Sequence, residues 1–276
     1  MAETGHASSF HADRVGETAQ HQRLVDVLDA QAAMPSVQRL RRWALDAVGV
    51  EPGDRTLDIG SGTGSEVLAF ARLAGPTGDA VGLDPNPAML EVARKRAATA
   101  RIPAHFVEGS AYALPFDDDF FDLVRSERVY QHLDHPDRAT AEIARVLRPG
   151  GRAMLIDSDW ATALLHPGDP AVVGRVLQHL LGPNRNVGRR LRGLLIAAGF
   201  EIDDVGAGAA LWDPATVVPL ARTAGEQAAA EGVITTAQLA TLTADLDRGI
   251  ATGDYHFSVT MFAVLAHRPR MSPRSS

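Results

Sequence analysis

The sequence predicts an α/β fold: a seven-stranded, mostly parallel, doubly wound sheet with N-terminal helices and a helical cap inserted between the last two strands. Three observations predict it. From Pro52 onward, short apolar runs alternate with amphipathic stretches, the pattern of repeated strand–helix units. The first of those runs ends in a glycine-rich turn that leads straight into a helical pattern. About fifty residues separate the last two strand-like runs, far more than a hairpin loop of 2–5 residues, and they carry helical periodicity.

The strands are expected at residues 55–59, 80–83, 104–107, 120–125 and 152–156, then at 200–205 and 257–266. Helical spacing between them covers residues 66–73, 88–100 and 136–147, each closed by Gly or Pro. Ahead of the first strand, Val37, Leu40, Ala44, Leu45 and Val48 share one stripe, so residues 36–48 read as a helix packed on the sheet edge or the ligand cleft. Beyond the fifth strand, residues 160–170 read as loop, and 171–181 and 188–198 as helices. The cap helices are expected at 214–231 and 236–250, where Val217, Val218, Leu220 and Ala221, then Leu239, Leu242 and Leu246, form stripes that must bury a face against the cleft or a second subunit. The expected division is therefore an N-terminal helical, partly flexible segment (1–35), a core (36–212), the cap (213–253), the last core strand (254–268) and a disordered tail (269–276).

A length of 276 residues with 45% hydrophobic and 22% charged residues is that of a globular chain with a full core. With no cysteine, the chain can form neither a disulfide nor a thiolate metal site. Twenty-seven basic against 34 acidic residues leave a charge of −7, which argues against a nucleic-acid partner. No apolar run approaches the ~20 residues that cross a bilayer, so no membrane span is expected. Residues 1–17 lack the apolar centre of a secretory signal, so a cytoplasmic location is expected.

The chemistry begins at Asp58-Ile59-Gly60-Ser61-Gly62-Thr63-Gly64, where a strand enters a Gly-x-Gly-x-Gly turn and then a helix. Glycine permits positive φ and lets a ligand lie on bare backbone. The turn occupies the carboxyl end of the first strand, where open α/β sheets bind ligands. It is not a dinucleotide fingerprint, because Ser65 stands one residue past the third glycine, and no Gly-Lys-Ser/Thr follows to make a phosphate loop. Asp84 ends the second strand twenty residues beyond Gly64, the separation at which a carboxylate meets ribose hydroxyls. A nucleoside ligand is implied.

These blocks resemble the class I S-adenosylmethionine-dependent methyltransferases, and within them the ubiquinone/menaquinone-biosynthesis-like small-molecule branch. The resemblance runs from about residue 41 to 199. It includes Ala113-Leu114-Pro115-Phe116-Asp117, Phe121-Asp122-Leu123-Val124 and Arg145-Val146-Leu147-Arg148-Pro149-Gly150-Gly151 in family order. It implies a Rossmann-like methyltransferase fold and S-adenosylmethionine as cofactor. Asp58, Gly60, Ser61, Gly62, Gly64, Asp84, Pro85, Met89, Gly109, Ser110, Ala111 and Ser126 would bind it. Ser110 departs from the pattern, since many relatives carry an acid there for the adenine amino group.

The implied activity is methyl transfer to a small-molecule acceptor, a secondary metabolite, by in-line displacement. The alternative is a fold relative that keeps the cofactor but catalyses a non-methylating step such as cyclisation. Candidate bases stand at strand ends: His132 and Glu127 after the fourth strand, and Asp159 after the fifth. Asp157 and Trp160 share that last position. No metal is expected, because the pair His132 and His135 has no further ligands in sequence.

Overall fold

The computed structural model describes residues 18–179 and 184–270, and the expectations for 1–17 and for most of the tail fall outside them. Two helices open the described chain, α1 (Thr18–Ala33) and α2 (Pro35–Val48). Alternating strands and helices follow: β1 (Arg55–Ile59), α3 (Ser65–Ala74), β2 (Asp79–Asp84), α4 (Pro87–Ala100), β3 (His105–Glu108), β4 (Phe121–Glu127) and α5 (Pro136–Val146). The chain then forms β5 (Leu147–His166), α6 (Pro170–His179), α7 (Leu191–Ala197), β6 (Glu201–Leu211), α8 (Pro214–Ala230), α9 (Thr236–Thr252) and β7 (His256–His267). The seven strands order as β3-β2-β1-β4-β5-β7-β6, with β1 to β5 parallel and β7 antiparallel to both neighbours. This is the expected mostly parallel, doubly wound sheet, and α8 and α9 are the expected insertion between its last two strands in sequence.

Two apolar layers sandwich the sheet. On one face α2, α3, α4 and α6 and the cap pack around Leu123, Met154, Ile156 and Phe257. On the other, α5 and α7 cover Leu57, Leu83, Val124 and Leu155. The cap closes its own stripe, with Val217, Ala221, Ala224 and Ala228 of α8 and Leu242 and Leu246 of α9 buried in the same core as Val173 and Val176 of α6.

The structure corrects the expectation of a loop at 160–170. β5 continues to His166, because Leu164, Leu165 and His166 pair with Ser258, Phe257 and His256 of β7 across a register shift after Asp159. An antiparallel partner satisfies backbone groups that a loop would leave to water, and Leu165 joins the core. β6 likewise outruns its expected end at residue 205. Its Gly206-Ala207-Gly208-Ala209 stretch has little intrinsic strand preference. It is held by the ladder to β7, and the Trp43 ring lies so close over Gly206 that a Cβ there would meet it at 2.3 Å. The expected helix 188–198 begins as a 3-10 turn, Gly188–Arg190, before α7.

Phe121 at the start of β4 is fully buried between Phe116 and Phe120, both edge-on with centroids 5.0 Å away. Replacing Phe121 by Ala should cost about 3–5 kcal/mol of unfolding free energy, because the ring leaves a cavity in a close-packed layer. Urea unfolding measures it, with Phe121→Leu losing markedly less.

Candidate active site

The turn after β1 bends on three glycines in the left-handed region, Gly60 (φ 72°), Gly62 (φ 50°) and Gly64 (φ 80°). Gly60 and Gly64 are required by their neighbours. A Cβ on Gly60 would lie 2.2 Å from Val129, and one on Gly64 within 3.0 Å of Ala93 and Phe106. Gly62 differs, since only Leu28 of α1 stands near its missing Cβ, at 3.7 Å. The turn is pinned to β2 by Gly60 N–H and Ser61 N–H, which both donate to the Leu83 carbonyl at 2.7 and 3.0 Å.

Asp84 follows immediately. Its Oδ2 accepts from Gly62 N–H at 2.8 Å and its Oδ1 from Asn86 N–H at 2.9 Å. Burial raises its pKa, and the two backbone donors partly offset that rise. Asn86 in turn caps α4 by accepting from Ala88 N–H. Met89 is buried on the first turn of α4, while Pro85 is exposed. At the end of β3, Gly109 N–H donates to the Asp84 carbonyl, and the exposed Ser110 accepts from Tyr112 N–H through its Oγ, beside a half-buried Ala111.

Helix α1 lies across this edge. Asp29 binds Arg96 of α4 through both oxygens, at 2.9 and 2.6 Å, and its Oδ1 stands 3.5 Å from Thr63 Oγ1. Gln31 accepts from Arg128 at the end of β4. Helix α1 thus covers the turn, with Leu28 at ordinary contact distance from where a Cβ on Gly62 would stand.

Under the turn lies a buried cluster of charges. Arg125, 3% exposed in the middle of the sheet, donates to Asp58 Oδ1 at 2.8 Å and to Glu127. Arg41 of α2 binds Glu127 through both oxygens, at 2.7 and 2.6 Å, and Glu66 of α3 at 3.1 Å. Arg128 adds a third cation, its Nε 3.3 Å from Glu127. Burial opposes ionisation of Glu127, but Arg41, Arg125 and Arg128 together hold its pKa at about 2. Burial lifts Asp58 to about 6 against the pull of Arg125.

Residues 57–155 match the model of a methyltransferase domain. The 37.1 kDa protein of transposon TN4556 from Streptomyces fradiae is 32% identical over 95% of this chain and 76% of its own length. The ubiquinone/menaquinone biosynthesis C-methyltransferase UbiE of Pseudomonas putida is 39% identical over 42% of this chain, a match that spans 46% of its length. The chain belongs to the class I S-adenosylmethionine-dependent methyltransferases. Among solved structures, an S-adenosylmethionine-dependent methyltransferase from Aquifex aeolicus shares the fold at a TM-score of 0.55 and 15% identity, covering 91% of this chain and 98% of its own. The [4+2]-cyclase SpnF shares it at 0.56 and 21% identity, covering 91% and 95%.

The methyltransferase places its expected bases in three different settings. Glu127 is fully committed to arginines and remains an anion at neutral pH. Asp159, with no exposed surface, is bound by the Arg189 guanidinium at 2.5 and 2.8 Å. Both carboxylates are thus occupied by guanidinium groups. His132 sits half-buried at the end of a 3-10 turn, Tyr130–His132, that follows β4 directly. Ser126 and Ser61 bring buried hydroxyls, without hydrogen-bond partners among the described residues, to the ends of β4 and β1.

Sequence reasoning missed Arg41, Arg125 and Arg128; Arg189, readable in sequence as an anion binder or a helix start, is bound to Asp159. Arg125 carries the available signal, since a cation inside a central strand demands a buried anion. Asp157 reads in the sequence only as an acid past the fifth strand. In the fold it has no exposed surface and accepts from Ser158 N–H at 2.7 Å and Gln131 N–H at 3.3 Å, and burial raises its pKa to about 7.

That rise has a defined sign. The native state holds a proton on Asp157 up to about pH 7, whereas an unfolded Asp releases it near the ordinary value of 3.8, so rising pH between these values destabilises the fold. Asp157→Asn should remove this dependence. Its stability relative to wild type should climb from about pH 4 to about 7 and then level off, in urea unfolding repeated across pH. Two parallel stability curves would refute the assignment.

Proposed function

We propose that this methyltransferase transfers the methyl group of S-adenosylmethionine to a small-molecule acceptor, a secondary metabolite, by in-line displacement. The observation that carries the reading is the junction of the glycine turn with Asp84. A buried carboxylate is anchored at one lone pair of each oxygen and keeps the remaining pairs for ribose hydroxyls. Gly62 offers bare backbone beside it. The orphaned hydroxyls of Ser61 and Ser126 add unsatisfied polar groups along the same strand ends, a donor set that suits the methionine portion and the nucleoside.

When bound, S-adenosylmethionine supplies a sulfonium-activated methyl group. The N–H groups of Gly60, Ser61, Gly62 and Gly64 are spent within the protein, so a carboxylate would be met by Thr63 N–H and the first turn of α3, as at other helix N-termini. Gly109, Ser110 and Ala111 lie beside Asp84 at the end of β3, where an adenine ring would rest, and Pro85 and Met89 flank it from the start of α4. Helix α1 excludes water from the turn, and the arginine cluster keeps Glu127 a fixed negative charge. Alignment and exclusion of water supply most of what such a displacement needs. His132 is the group in position to take a proton from a hydroxyl or phenol acceptor. The cap encloses the acceptor from the side of β5 and β7.

Calorimetry should show binding of both S-adenosylmethionine and S-adenosylhomocysteine. Asp84→Ala should weaken both by about 1–3 kcal/mol through loss of charge-assisted hydrogen bonds. Gly62→Ala should also weaken both while the protein stays folded. Unchanged affinity in a folded Asp84→Ala variant overturns the assignment. With an acceptor in hand, formation of S-adenosylhomocysteine supports methyl transfer, whereas product formation that leaves S-adenosylmethionine intact supports a cyclisation-type step.

His132→Ala should lower kcat on a hydroxyl or phenol acceptor by about 10²-fold or more, with cofactor affinity nearly unchanged. Steady-state kinetics alongside calorimetry separate these effects, and a smaller loss assigns His132 to the structure of its turn.

A further inference from the structure

Strand β6 is the outermost strand of the sheet beyond β7, and among the described residues no strand pairs with its other edge. Successive residues of an antiparallel strand turn their N–H and C=O groups to opposite sides. Trp212, just past the strand, donates its backbone N–H inward to the Phe257 carbonyl at 3.1 Å, whereas Leu211 N–H donates outward to Ser36 Oγ of α2 at 3.1 Å. The alternation therefore turns Ala209, Ala207 and Val205 outward as well. Val205 N–H is met by Asp204 Oδ1 at 2.8 Å, which leaves Ala207 and Ala209 as an open stretch of backbone donors and acceptors.

Edge strands ordinarily guard themselves with charge, proline or a bulge. Here the register shift and the acids Asp203 and Asp204 stand at one end, and Asp213 and Pro214 lie past the other. Residues 205–211 carry none of these devices. The outward residues put their side chains on one face of the sheet, where Val205 is 46% and Leu211 48% exposed. On the opposite face a groove of about 460 Å³ runs between β6 and α2, lined by Gly206, Gly208 and Trp43 and by two exposed charges, Arg39 and Asp204. Neither charge has an ion-pair partner among the described residues.

We propose that β6 is the interface with a second copy of this chain, the two strands pairing antiparallel about a two-fold axis at Gly208. Three matches single out this register. It sets Ala207 opposite Ala209 of the second copy, so the open groups of each strand meet those of the other. It sets Val205 opposite Leu211, and each exposed apolar side chain gains a cross-strand neighbour. It also brings the Leu211 end of one copy to the Val205 end of the other. Helix α2 is tied to the Leu211 end through Ser36, so Arg39, one turn further on, approaches Asp204 of the second copy. A peptide of unrelated sequence would supply the backbone bonds but neither of the other two matches. The pairing makes one continuous sheet through both copies, and the glycine turn and Asp84 stay clear of it on β1 and β2.

Sedimentation equilibrium of the full chain should give twice the chain mass. Ala207→Pro is the first variant, because the N–H it removes faces outward and proline is tolerated on that side of an edge strand. In the variant dimer two hydrogen bonds are missing, so its dissociation constant should rise about a hundredfold. Val205→Lys alters only an exposed side chain and should weaken the dimer about tenfold or more, which keeps the test open where the proline variant misfolds. Arg39→Asp and Asp204→Arg should each weaken the dimer, and the two together should restore it. Hydrogen exchange should find the Ala207 and Ala209 amides protected in the wild type and exchanging freely in Val205→Lys. A monomeric wild type, a dimer indifferent to both Ala207→Pro and Val205→Lys, or a charge-reversed double variant that fails to recover overturns the interface. A monomer whose Ala207 amide is nevertheless protected assigns the edge to a segment of the same chain and overturns it too.

Discussion

The arrangement around the cofactor cleft depends on one guanidinium. Arg125 lies in the central strand of the sheet, where an unpaired charge would cost several kcal/mol, and it joins Asp58 of the neighbouring strand to Glu127 at the end of its own. Those anions recruit Arg41 from α2 and, through it, Glu66 from α3. One buried cation therefore sets the position of the strand that enters the glycine turn, of the helix that leaves it, and of the N-terminal helix packed above both. Replacing such a group by an apolar residue of equal volume need not cost overall stability, but removing a single partner leaves the others buried and uncompensated. The cluster is better understood as a specification of geometry than as a reservoir of stability.

Its second consequence is electrostatic. Three arginines around Glu127 hold that carboxylate ionised, while burial raises the pKa of Asp58, which has Arg125 alone, and of Asp157, which is hydrogen-bonded to backbone N–H groups. Acids within one turn of the same strand ends thus have opposite tendencies. Which of them carries charge is decided by the number of guanidinium groups in reach and not by residue type.

Much of the fold is legible in the sequence alone. The glycine turn, the acid after β2 and the alternation of strands and helices are local patterns, and each lies within a few residues of its cause. The insertion between the last two strands is legible from its length. What escapes such reading are features made by residues distant in sequence. Residues 160–166 look like loop until β7, nearly a hundred residues on, supplies a partner. The arginine cluster draws on α2, β1, α3 and β4, so its members carry no common motif. Of the expected bases, Glu127 does stand at the end of its strand, whereas Asp159 lies inside β5 at its register shift instead of past it. Their ion-pair partners, Arg41 and Arg189, come from other elements, and only assembly reveals that both carboxylates are occupied.

The point of attachment of the cap has a mechanical meaning. Both helices leave and rejoin the sheet at Trp212 and Phe257, residues already joined by a backbone hydrogen bond across neighbouring strands. A segment whose two ends are held together by the fold can lengthen, shorten or change its sequence with little entropic cost to the rest. The cleft residues around β1 and β2 lie at the far side of the sheet from that neck. A change of length in the outer turns of the cap is thus closed off at this neck and does not reach the glycine turn, while the buried faces of α8 and α9 stay tied to the core they share with α6.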